Sequence, residues 1–130
     1  MDLATLIIVA FAAMFFKHFV IDFPLQTPYQ YLNKGTYGHL GGIAHAAFHS
    51  VGSLITLAIV LGLYRLDMIF VLCVLEGIIH YHIDWAKMYI NKRMDWKCNE
   101  SPHFWLAMGF DQFLHYLTYA LMLLVYFRLA

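Results

Sequence analysis

Four pairs of residues able to ligate a metal, each pair four positions apart, sit inside the most apolar stretches of this 130-residue chain. They are His18 and Asp22, His45 and His49, His80 and Asp84, and Asp111 and His115. On a helix, positions i and i+4 share one face about one turn apart. Imidazoles and carboxylates are costly to bury unless they pair with each other or hold a cation. Taken singly, each pair reads as a hydrogen-bonded tie between helices. Four such pairs in four apolar segments point to one shared polar site that holds a divalent metal ion.

The local chemistry sharpens this expectation. His45-Ala-Ala-Phe-His49 places two imidazoles within reach of one ion but lacks the glutamate of the soluble metalloprotease motif. Glu76, His80 and Asp84 form a stripe with Lys87 one turn further on, and such a stripe faces the interior of a helix assembly. Asp111 and His115 have the amide of Gln112 beside them. Eight candidate ligands exceed the four of one zinc. That leaves either one ion with some carboxylates orienting histidines, or a two-metal cluster. Imidazole and carboxylate without thiolate suit zinc first, with iron or manganese as alternatives, and disfavour Cu(I). Lys17 and Lys87 read as side chains that snorkel toward the headgroups. Lys87 is also placed to attract an anionic headgroup.

The elements that must position these groups follow from hydropathy. The chain is 62% apolar and only 12% charged with zero formal net charge, which argues for a membrane protein and against nucleic-acid binding. Four transmembrane helices are expected, from Leu3 to Phe23, Gly38 to Leu63, Leu66 to Tyr89 and His103 to Leu129. The first reads as a retained span rather than a signal peptide, since Asp2 precedes it and no cleavage site follows. Residues 1–130 then form a single all-α polytopic membrane domain, a four-helix bundle running up and down. The first connection, with Pro24, Pro28, Asn33, Lys34 and Gly35, reads as a loop or interfacial cap. Ser101-Pro102 reads as a helix start. Cys73 and Cys98 suggest no disulfide. Trp85, Trp96, Trp105, His39, His82 and His103 read as interfacial.

In an up-down-up-down order, all four pairs fall on one side of the membrane, about 10–18 Å in from the starts of the second and fourth spans. Lys34, Lys87, Lys92, Arg93 and Lys97 lie on that side, against Arg65 and Arg128 on the other. The positive-inside rule then makes the site side cytoplasmic and places both termini outside.

The ordered set His18-x3-Asp22-Phe-x-Leu25-Gln26, Lys34, His45-x3-His49, His80-x3-Asp84-x2-Lys87 and Asp111-Gln112-x2-His115 resembles small bacterial and phage membrane proteins grouped as domain of unknown function 3307. The resemblance spans nearly the whole chain. It implies a polytopic protein of the bacterial inner membrane with a polar core, and it implies no activity. A looser likeness to small inner-membrane proteins labelled metal-dependent hydrolases carries no residue roles.

The leading expectation is a membrane-embedded metal-dependent hydrolase acting on a lipid or lipid-linked ester or phosphoester, with membrane lipids as its partners. Glu76 would act as general base and Lys87 would engage the substrate. Three rivals use the same residues. One is a di-iron oxidase. Another is a proton or metal-ion transporter, which four helices would serve only as a homo-oligomer. The last is a non-enzymatic envelope-modifying protein of phage type.

Overall fold

The computed structural model describes residues 1–130, and all regular structure in it is helical. The helices are α1 (Leu3–Asp22), α2 (Pro28–Asn33), α3 (Leu40–Leu61), α4 (Leu66–Arg93) and α5 (Pro102–Leu129). The four long helices contact one another in cyclic order, α1 with α3, α3 with α4, α4 with α5 and α5 with α1, while α2 packs on α3.

Helix ends follow local chemistry. Asp2 caps α1 by accepting from the Thr5 N–H at 2.8 Å. Ser101 caps α5 by accepting from the His103 N–H at 3.3 Å, with Pro102 in the first turn, as the sequence suggested. Between α3 and α4 the chain turns through Gly62 at φ 77° and Arg65 at φ 51°, both in the left-handed region.

The first connection departs from the expected loop. Pro28 to Asn33 form a short helix, α2, because Thr27 and Gln30 supply a capping signal and Pro28 stands at its first position. The Gln30 side chain accepts from the Thr27 N–H at 2.9 Å. This helix sits directly on the start of α3: a Cβ at Gly42 would lie 3.2 Å from the Lys34 Cα. Glycine at that position therefore lets α2 approach closely enough to carry Lys34 inward.

Three helices, Leu3–Asp22, Leu40–Leu61 and Leu66–Arg93, are long and apolar enough to cross a membrane. The expected fourth span, in α5, is as long as α4 but falls outside that set. Asp111, Gln112 and three tyrosines dilute its apolar character.

Burial is inverted relative to a water-soluble protein. Large apolar side chains such as Ile8, Phe16, Ile59, Leu106 and Phe110 are exposed, while 13 of the 28 buried residues are polar or charged. An apolar surface around a polar interior suits a lipid environment. The interior has two parts. One half is a conventional apolar core built from residues such as Ala10, Met14, Leu57, Ile69 and Leu123. The other half contains the ionisable residues, and Tyr119 lies where the two meet.

Candidate metal centre

Antiparallel pairing brings the second half of α1 against the first half of α3, and the second half of α4 against the first half of α5. All eight predicted ligands thereby reach one level. His18, His45, His49, His80, Asp84, Asp111 and His115 are buried, and Asp22 nearly so. His80 occupies the middle. Its ring stacks on His49 with centroids 3.6 Å apart and lies 4.1 Å from the His115 ring.

Two sets of donors converge. Asp22, His45, His49 and His80 each direct one ligand atom to a common region, with those atoms within 4.8 Å of one another. Three separations within this set are 2.9 Å from His49 Nε2 to Asp22 Oδ1, 3.2 Å from His45 Nε2 to the same oxygen, and 3.3 Å between His45 Nε2 and His80 Nε2. A tetrahedral ion with bonds near 2.05 Å needs donors about 3.3 Å apart. Without an ion the same atoms pair with one another: His49 Nε2 donates to Asp22 Oδ1 while its Nδ1 faces the Lys17 ammonium at 3.3 Å, and His45 Nε2 faces His80 Nε2.

The second set is His80, Asp84 and His115. Asp84 Oδ2 lies 3.5 Å from His80 Nε2, and Asp84 Oδ1 lies 3.6 Å from His115 Nε2. His80 Nε2 thus serves both sets. One lone pair binds one ion, so His80 can join a metal in either set but not in both at once. The geometry favours the first set, which supplies four donors, with Asp84 3.1 Å from His45 Nε2 as a neighbouring carboxylate.

His18 and Asp111, both expected as ligands, belong to neither set. His18 instead stands behind Asp22. The Tyr119 hydroxyl accepts from Lys17 Nζ at 3.0 Å, which leaves its own proton for His18 Nδ1 at 2.8 Å. That arrangement puts the His18 ring proton on Nε2, 3.0 Å from Asp22 Oδ2. His18 therefore stands against Asp22 from outside the donor set. Asp111 accepts from Lys87 Nζ at 3.0 Å and from Gln112 at 3.1 Å.

Three lysines turn inward to match the carboxylates. The expectation that Lys17 and Lys87 snorkel is corrected here: Lys17 is 7% exposed and its ammonium lies 3.7 Å from Glu76, while Lys87 points to Asp111. The snorkelling argument assumes that lipid is the only neighbour, and here buried carboxylates compete with the headgroup region for each ammonium. From α2, Lys34 donates to Asp84 Oδ2 at 3.0 Å. Glu76 accepts from Ser53 at 3.2 Å and lies 3.7 Å from His80 Nδ1, on the side of the ring away from the converging nitrogens.

Sequence reasoning missed Tyr119 and Ser53, and gave Gln26 no role beyond its place in the family pattern. Tyr119 follows His115 by one turn on α5, and Ser53 follows His49 by one turn on α3, so the i+4 rule could have found both. The Gln26 amide lies 3.4 Å from the His45 ring. Among the interfacial histidines, His39 caps α3 by accepting from the Gly41 N–H at 3.0 Å, His82 is exposed beside Tyr37, and His103 stacks on Trp96.

The sequence profile of a family described as protein of unknown function (DUF3307) matches residues 10–130. The chain belongs to this family. No curated protein matches it, and no solved structure does. The family is uncharacterised, so function has to be argued from the geometry of the cluster.

Proposed function

We propose that the chain is a four-span protein of the bacterial inner membrane with its termini outside, and that it binds one divalent metal, zinc first, through Asp22, His45, His49 and His80. The observation that carries this reading is the convergence of those four donors within 4.8 Å of one another, with three of their six separations near the spacing a tetrahedral ion needs. The surroundings support it. Glu76 lies 3.7 Å from His80 Nδ1, the position from which an outer carboxylate orients a ligating imidazole. Lys17 Nζ lies 3.3 Å from His49 Nδ1, so an ion at His49 Nε2 would move that ring's proton to Nδ1 and require Lys17 to give up this contact and keep Glu76 and Tyr119.

The reading extends to a metal-dependent hydrolase of a lipid or lipid-linked ester or phosphoester. A bound ion would acidify water and polarise the substrate oxygen. Asp84 stands between the four donors and Lys87, with Oδ1 3.7 Å from Lys87 Nζ and free of a hydrogen-bond partner. It is the carboxylate placed to take a proton from the attacking water as the ester bond breaks. His115, between Asp84 and Asp111, is placed to return a proton to the departing alkoxide. Glu76 lies behind His80 and acts as its positioning residue in this scheme, in place of the general-base role read from sequence.

One observation favours a second reading. Glu76, Lys17, Tyr119, His18, Asp22, His45, Asp84, Lys87 and Asp111 form an unbroken chain with no link longer than 3.7 Å. Such a chain suits a proton relay. Elemental mass spectrometry on detergent-purified protein decides between them, beside a His45→Ala/His49→Ala variant whose helicity is checked. Stoichiometric metal in the parent and its loss in the variant is the expected result. A metal-free parent would remove the hydrolase reading and leave proton flux in liposomes as the next assay. Metal without release of fatty acid, phosphate or alcohol from any membrane lipid would reduce the proposal to metal binding.

A further inference from the structure

We infer that the groove between α4 and α5 is the substrate channel, and that it takes an amphiphile with a single hydrocarbon chain and a phosphate headgroup. The inference rests on the hydrolase reading and names its substrate class. The groove encloses about 780 Å³. Its far end is built by Ile79, Ile83, Phe110 and Leu114, with His82 beside them. Its other end reaches Trp96 and His103 at the polar connection between the helices. Lys87 and Asp111 lie in its inner wall. From Ile79 to Ile90 the channel follows α4 for about 16 Å, so it has the length of a hydrocarbon chain lying along the helix, and its surface is almost entirely apolar.

Charge selects the headgroup. The Lys87 ammonium has three donors: Asp111 Oδ2 takes one at 3.0 Å, Asp84 Oδ1 lies 3.7 Å away, and one is left for a ligand. Lys92 and Arg93 are exposed at the end of α4, on the same side as the polar mouth. An anionic oxygen bound at Lys87 also lies beside Asp84, the carboxylate that separates the groove from the four metal donors. The other two lateral grooves lack this arrangement. The one between α3 and α4 is lined mainly by apolar residues with Ser50 and His82. The one between α1 and α5 carries only Arg128, at the opposite end of the molecule from the cluster. Ala86 and Ala107 keep the α4–α5 groove open from its two walls, so a large side chain at Ala107 would fill it without touching the ionisable cluster.

The test uses the full chain purified in a neutral maltoside detergent, with native mass spectrometry reading bound ligand and elemental analysis reading metal. Dodecyl phosphate is expected to bind one per chain. Inorganic phosphate and dodecyltrimethylammonium are each expected to bind at least tenfold more weakly. Ala107→Trp is expected to lower dodecyl phosphate binding at least tenfold with metal content unchanged, and Lys87→Met to lower its preference over the cationic amphiphile. Equal binding of both amphiphiles, or full binding to Ala107→Trp, would overturn the inference and identify ordinary annular lipid. Binding of inorganic phosphate as tightly as dodecyl phosphate would also overturn it, in favour of a free-phosphate site. Loss of metal from the parent protein would instead count against the hydrolase reading, so the two failures are separable.

Discussion

Replacing Glu76 with glutamine tests whether the interior is ionised. The substitution keeps the side chain's shape and its acceptor for Ser53, and removes only the negative charge facing Lys17. The ammonium and carboxylate lie 3.7 Å apart at 6% and 1% side-chain exposure. At an effective dielectric near 20, their attraction is about 4–5 kcal/mol. Breaking one side of a buried pair typically costs 3–5 kcal/mol, because the other charge is stranded. Lys17 keeps Tyr119 and His49 as partners, which lowers the expected cost of Glu76→Gln to about 3 kcal/mol. Lys17→Met should cost a similar amount by stranding Glu76. The double variant strands neither and should lie within about 3 kcal/mol of the parent, a coupling energy of at least about 3 kcal/mol. Reversible unfolding in mixed anionic and zwitterionic micelles, on chelator-treated protein, supplies the four stabilities. Neutral hydrogen bonds between membrane helices couple by only about 0.6 kcal/mol on average. A coupling at or below that value would refute the ion pair and imply that Lys17 and Glu76 are both neutral.

Tyr119→Phe removes the proton that fixes the His18 tautomer, so Asp22 loses its orienting partner; metal affinity is expected to fall about 10–100-fold with helicity retained, measured by competition with a calibrated chelator. Gly77→Leu places a side chain against Ser50 at the α3–α4 contact and is expected to force these helices apart, read as a fall in unfolding midpoint larger than that of Gly109→Leu, where a Cβ meets nothing within 4 Å. The Asp2 carboxyl is held below its usual range by the Thr5 backbone N–H. The cap's contribution is therefore complete above the unfolded carboxyl value and is lost as pH falls through the lower folded one. Amide exchange at Thr5, corrected for the intrinsic pH dependence, should accelerate over that acidic window in the parent protein and show no such step in Asp2→Asn.

The level of the site was legible in the sequence because period and topology supply it. Residues four apart share a face, and alternating helix direction places His18, His49, His80 and His115 at one height. What the spacing could not supply is the second partner of each group. His18 and Asp22 look like equivalent ligands in sequence, yet Tyr119, about a hundred positions away, makes one an orienter and leaves the other in the donor set. Lys17 and Lys87 read as snorkelling because hydropathy treats lipid as the only neighbour, whereas each faces a carboxylate from another helix. Lys34 reads in sequence as a loop charge near the site, and the capping pair of Thr27 and Gln30 is the signal that the connection is helical. That pair turns the connection into α2 and seats it on Gly42.

The charge balance of the cluster connects the metal to the proposed substrate. Four inward carboxylates, the buried Glu76, Asp84 and Asp111 and the nearly buried Asp22, face three inward lysines, Lys17, Lys34 and Lys87, leaving one negative charge among five buried imidazoles. A low-dielectric interior penalises any net charge. One protonated histidine would neutralise the cluster, and so would a divalent cation accompanied by one monoanionic ligand, or by a dianionic phosphate and one protonated histidine. The first solution fits the relay. The second requires an anion next to the ion, and the groove that ends at Lys87 and Asp84 is where the fold leaves room for one. Metal binding and phosphate-headgroup binding should therefore be mutually reinforcing. Dodecyl phosphate is expected to raise the affinity for zinc, and zinc to raise the affinity for dodecyl phosphate by the same factor, since coupling between two bound ligands is reciprocal. Isothermal titration of each ligand in the presence and absence of the other measures both factors. Independent binding would show that the cluster balances its charge by protonation alone.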